Sequence, residues 1–158
     1  MSRDRMERKR YILVDSSTKQ KGSGWGQSVA CWAVYNSLDA VPIQVGLVYY
    51  PNWGPNLTFL AGVINGLRYC ADDHYMKYTL SVLGDCEPVI NILTEKWNAH
   101  VLAELRDEAW GFEEWLSEHR LVSVQYGYVN VTTLLAYRYV DQCAKDAANF
   151  ICQRFKLK

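Results

Sequence analysis

Two aspartates in this chain each follow a hydrophobic run. Asp15 closes Tyr11-Ile12-Leu13-Val14, and Asp85 follows the run from Tyr78 to Leu83 and then Gly84. Short apolar runs of this kind read as buried strands. If the two strands lie side by side and parallel, both carboxylates emerge at one edge of the sheet. Paired carboxylates there are hard oxygen donors, the type Mg²⁺ prefers. Other reactive side chains reach less far. Cys70 and His74 stand four apart at a helix end and offer zinc two ligands without a third. His74, His100 and His119 each lie in or beside a charged helical stretch and read as surface residues rather than triad members. The five cysteines, at 31, 70, 86, 143 and 152, form no close pairs, which suggests reduced thiols in an intracellular compartment, cytoplasm or nucleus.

The elements that must position the aspartates follow from periodicity and punctuation. Tyr11 to Val14 is the first strand, and the polar segment from Ser16 to Gly26 reads as a loop. Trp25 to Asn36 and Ile43 to Tyr50 are two further strands with a short link, which suggests an antiparallel meander. The breaker cluster Pro51 to Pro55 precedes a helix running to about Asp72, with Phe59, Val63, Gly66, Leu67 and Cys70 along one stripe and Asn56 as its N-cap. Tyr78 to Leu83 is a fourth strand. Pro88 opens the next helix, where its missing N–H costs little. Residues 99–119 form another helix with Leu102, Leu105, Ala109, Phe112 and Leu116 inward. Leu121 to Val129 alternates as a fifth strand. Residues 138–155 close the chain as a helix, expected to bury Cys143, Ala147, Phe150, Ile151 and Phe155. The order predicts an α/β domain. Its five-stranded mixed sheet has the first three strands antiparallel, the first, fourth and fifth parallel, and helices on both faces.

Composition narrows the function. The 158 residues suit one domain, and 49% hydrophobic with 22% charged residues excludes wholesale disorder. Seventeen basic residues balance seventeen acidic ones, which excludes a globally basic nucleic-acid coat. No apolar run is long enough for a membrane helix, and the charged N-terminus lacks the apolar segment of a secretory signal. Charge is nonetheless segregated. Residues 1–25 carry a net +4, residues 85–118 a net −7 and residues 138–158 a net +3. The division expected is a basic arm over residues 1–10 and a domain over 11–158. The acidic stretch 98–119 repels phosphate and suits a protein-facing surface.

Four motifs resemble the ribonuclease H domain of the cellular and retroelement type, over roughly residues 10 to 152. Tyr11-Ile12-Leu13-Val14-Asp15-Ser16-Ser17 resembles that family's first strand. Gly84-Asp85-Cys86-Glu87-Pro88-Val89-Ile90-Asn91 resembles the segment that joins its fourth strand to the next helix, and is the most specific match. Tyr137-Arg138, Asp141, Ala144-Lys145 and Ala148 follow the spacing of its terminal helix. The stretch from Phe59 to Leu67 resembles its first helix more weakly.

The resemblance implies four carboxylates holding two Mg²⁺ ions that cleave the RNA strand of an RNA–DNA hybrid. Asp15 and Asp85 match two of those ligands. The helical glutamate falls at Phe59, and the terminal-helix aspartate falls at Lys145, with Asp146 one residue on. Two readings follow. In the first, the metal site is degraded and the domain is a binding or scaffold module in an assembly, with the Lys145 ammonium standing in for a missing ion beside Asp15 and Asp85. In the second, an Mg²⁺-dependent ribonuclease H works through Asp15, Asp85 and Asp146. The resemblance also places Lys19, Lys21, Trp25, Trp53 and Arg138 near the hybrid groove, where aromatics beside cations stack on bases or sugars. The tryptophans read equally well as caps on the sheet edge. RNA or an RNA–DNA hybrid is the expected nucleic acid, and a protein partner is expected on the acidic surface.

Overall fold

A computed structural model describes residues 8–19, 26–51, 53–94 and 102–154. Five strands and four helices alternate along it: β1 (Arg8–Lys19), β2 (Gln27–Tyr35), β3 (Gln44–Pro51), α1 (Pro55–Asp72), β4 (Tyr78–Gly84), α2 (Glu87–Leu93), α3 (Ala103–Arg120), β5 (Ser123–Tyr128) and α4 (Tyr137–Arg154). The strands form one sheet in the order β3-β2-β1-β4-β5. β1 is antiparallel to β2, and β2 to β3, while β1 is parallel to β4, and β4 to β5. This is the mixed sheet the sequence predicts.

The two faces of β1 serve different layers because strand side chains alternate. Ile12 and Val14 face α1 and join the larger core with Phe59, Leu60, Val63 and Leu67. Leu13 faces α4 with Cys31, Ala33, Tyr35, Tyr137, Val140 and Ala144. α1 presses close to β1 at Gly66, where a Cβ would come within 2.7 Å of Ile12 Cγ2. The apolar stripe expected on that helix is buried throughout.

Three expectations need correction. β1 begins at Arg8, so residues 8–10 of the expected basic arm belong to the sheet. Arg10 is itself buried, its guanidinium donating to Asp73 at 2.9 Å and to Asn36 at 3.0 Å, with the rings of Tyr75 and Tyr78 against it. Secondly, Ser16 to Lys19 continue β1 instead of entering a loop, because their backbone pairs with Gln27 to Ala30. Polar composition masked that ladder.

The third correction concerns α4. Its buried face is Tyr137, Val140, Ala144 and Ala148, while Phe150 is 63% exposed. Bulky side chains suggested the wrong stripe. Alanines let the helix lie close to the sheet, and this turns its buried face by about 60° relative to expectation, with Ala147 and Ile151 half-buried at the margin. Of the expected face, Cys143 is half-buried against the α4-side cluster and Phe155 lies outside the described residues. Among the described residues no helix is long and apolar enough to cross a membrane.

Candidate functional site

The last parallel pair between β1 and β4 is Val14 with Gly84. Asp15 and Asp85 come next in each chain segment, so the two carboxylates meet at one sheet edge. Asp15 shares the α4 side of β1 with Leu13, and there α4 adds Asp141. The Asp15 carboxyl lies beside those of Asp141 and Asp85, which hold its proton on. Its Oδ1 also accepts the Ser16 N–H at 2.9 Å. Asp15 is 4% exposed, whereas Asp85 is exposed and Asp141 half-buried. Burial pushes the Asp15 carboxyl up to about 8, and the hydrogen bond to Asp141 and the charge of Asp85 add to the effect.

Lys145 lies one turn beyond Asp141, with its Nζ 3.1 Å from Asp141 Oδ2. That contact, helped by the charges of Asp15 and Asp85, raises the ammonium above its ordinary value. Asp146 does not join the group. It is exposed and accepts a hydrogen bond from Gln142 Nε2 at 2.8 Å. The rotation of α4 explains the exchange: burying Ala144 and Ala148 turns Asp141 toward β1. Asp141 was visible in the terminal-helix motif, but the misread helix face hid its role.

Tyr137 organises the same edge and was also missed. Its hydroxyl accepts the Asp85 N–H at 3.1 Å, and its single proton is shared between Val14 O at 2.6 Å and Asp85 Oδ1 at 3.1 Å. One buried side chain thus ties α4 to β1 and β4 where their parallel pairing ends. Tyr137→Phe leaves the Val14 carbonyl and the Asp85 N–H without that partner. The expected cost is about 1–3 kcal/mol. Urea unfolding should read it as a lower midpoint at unchanged slope.

Beneath the edge, on the α1 side, sits Phe59. It is fully buried, and its ring tip abuts Gly84: a Cβ there would stand 2.2 Å from Phe59 Cζ and 2.7 Å from Val14 O. The position matched to a metal-binding glutamate therefore supplies a ring edge against the backbone that carries the two aspartates. Nearby, Cys86 Sγ donates to Asn56 Oδ1 at 3.1 Å, and burial pushes this thiol up to about 11. Among the described residues no three His, Cys, Asp or Glu side chains are arranged to hold a metal ion. Cys70 is buried beside Arg10 and Tyr78, whereas His74 is exposed, so the zinc pair does not assemble.

The expected nucleic-acid residues are scattered. Lys19 is exposed at the end of β1, and Arg138 is exposed in the first turn of α4. Trp53 is half-buried, its ring stacked on Tyr50 with centroids 4.0 Å apart and planes 16° from parallel. Its inner face is thus already taken. Lys21 and Trp25 lie outside the described residues. On α3, Glu104, Asp107, Glu108, Glu114 and Glu118 are exposed, and Glu113 accepts a hydrogen bond from Tyr126 at 2.9 Å.

No protein-family profile matches the sequence, and no curated protein sequence matches it. Solved structures do. The N-terminal RNase H domain of a Mycobacterium tuberculosis protein superposes with a TM-score of 0.71 at 16% identity, covering 91% of this chain and 97% of that one. RNase H1 from the archaeon Halobacterium salinarum gives 0.63 at 19% identity, covering 89% and 99%. LC11-RNase H1, solved in complex with an RNA/DNA hybrid, gives 0.67 at 12% identity, covering 87% and 98%. At these identities the likeness establishes the architecture: the chain has a ribonuclease H-like fold.

Proposed function

We propose that this domain is a nucleic-acid-binding module of an assembly, with a carboxylate site that no longer fits a pair of divalent ions. The observation that carries this reading is Phe59, fully buried with its ring against Gly84. A phenyl ring has no oxygen to offer a metal ion. Lys145 supports the same reading, because an ammonium at the terminal-helix position engages Asp141. Asp15, Asp85 and Asp141 are the carboxylates left at this edge, and they are not arranged to hold a metal ion; an Mg²⁺ ion bound there would supply an activated water and charge stabilisation at phosphorus. LC11-RNase H1 binds an RNA/DNA hybrid on this fold, so a hybrid or single-stranded RNA is the proposed ligand. Lys19, Trp53 and Arg138 would approach it. The acidic outer face of α3 repels phosphate and is proposed to face a protein. All five cysteines are free thiols, in keeping with a reducing compartment.

The test is incubation with an end-labelled RNA–DNA hybrid in Mg²⁺ or Mn²⁺. The expected result is intact RNA together with a mobility shift that weakens steeply as salt rises. Cleavage that Asp85→Asn abolishes would establish the alternative, a metal-dependent ribonuclease using Asp15, Asp85 and Asp141. Absence of both cleavage and a shift would exclude nucleic acid as the ligand.

A further inference from the structure

We infer that Lys145 is the resident cation of the carboxylate edge and that its ammonium contacts a phosphate of bound nucleic acid without any divalent ion. This rests on the nucleic-acid reading above. Three carboxylates gathered at a sheet edge repel a phosphodiester. In this chain Asp141 holds the Lys145 ammonium at 3.1 Å, one turn along α4. The cation thus stands on the helix beside the carboxylates that would otherwise repel a passing strand.

Two features give it a task beyond charge balance. The Lys145 side chain is 57% exposed, so solvent and ligands reach it. An ammonium has three donors and no acceptor, and a single carboxylate oxygen occupies one of them. Arg138, exposed on the same helix, stands seven residues earlier. Seven residues return to nearly the same helical face, about 10 Å along the axis. Lys145 and Arg138 thus form a short basic line beside the strand ends, suited to phosphates of one backbone. Asp141 between them holds Lys145 in place.

The experiment measures fluorescence anisotropy of a labelled RNA–DNA hybrid, in EDTA and in Mg²⁺, for the wild type, K145A and K145R. Lys145 is on the surface, so neither change threatens folding. The wild type should bind equally well in both buffers. K145A should bind about tenfold more weakly in EDTA. K145R should bind like the wild type in EDTA. Wild-type binding that requires Mg²⁺, or K145A binding undiminished in EDTA, would overturn the inference and leave the nucleic-acid reading standing. Wild-type protein that ignores the hybrid in both buffers would overturn both.

Discussion

Asp15→Asn is expected to raise the melting temperature, and to raise it far more at pH 8 than at pH 5. Asp15 is buried against two other carboxylates, which holds it up to about 8 in the folded chain. In the unfolded chain an aspartate releases its proton near 4. Between those values the folded state retains a proton that the unfolded state has lost. Stability must therefore fall as pH rises across the window, with the loss complete above about 8. The slope for one such group is at most about 1.4 kcal/mol per pH unit. Asparagine does not titrate, and its amide N–H donates to Asp141 or Asp85 as the protonated carboxyl does. The expected gain at pH 8 is on the order of 3 kcal/mol, or roughly 10 °C for a chain of this size. Melting curves of both proteins from pH 4 to 9 check it. Curves that stay parallel across that range would contradict the proton-sharing arrangement.

The second large effect concerns Phe59. Truncation to alanine removes a fully buried ring and is expected to cost about 3–5 kcal/mol. Phe59→Glu is expected to cost more, because it adds an unpaired charge next to strand ends that already carry acids. The contact with Gly84 supplies an internal control. Gly84→Ala in the wild type forces a Cβ to within 2.2 Å of the Phe59 ring and 2.7 Å of the Val14 carbonyl. In the Phe59→Ala background the first clash disappears and the second remains. A double-mutant cycle from urea midpoints should therefore show Gly84→Ala costing less in the truncated protein. Strict additivity would mean the ring does not press on that backbone.

These effects sit at a site that was half legible beforehand. Asp15 and Asp85 were readable because each follows a hydrophobic run, which places it next to the last parallel pair, Val14 with Gly84, although β1 itself runs on past Asp15 to Lys19. The α1 stripe was readable because its apolar residues keep helical spacing. Asp141 was not, and the reason is physical. The stripe expected on α4 runs through Cys143, Ala147 and Phe150, but close packing on a sheet bearing Leu13, Cys31 and Ala33 favours Ala144 and Ala148 over Phe150. The far half of β1 was hidden similarly. Ser16, Ser17, Thr18 and Lys19 look like a loop, and only their pairing with β2 makes them a strand. Tyr137 appeared as a motif letter, while its bonds to Val14 and Asp85 depend on tertiary docking.

The Phe59–Gly84 contact also governs which neighbouring sequences selection can reach. An acid introduced at position 59 alone gives up core packing before any ion could repay it, and an acid introduced at 145 alone leaves the ring where it is. Gly84, pinned between that ring and the Val14 carbonyl, cannot drift to make space. Substitutions accepted one at a time thus meet a valley on the way to a four-carboxylate sequence. Phe59 thus ties any acid at its own position to a loss of core packing.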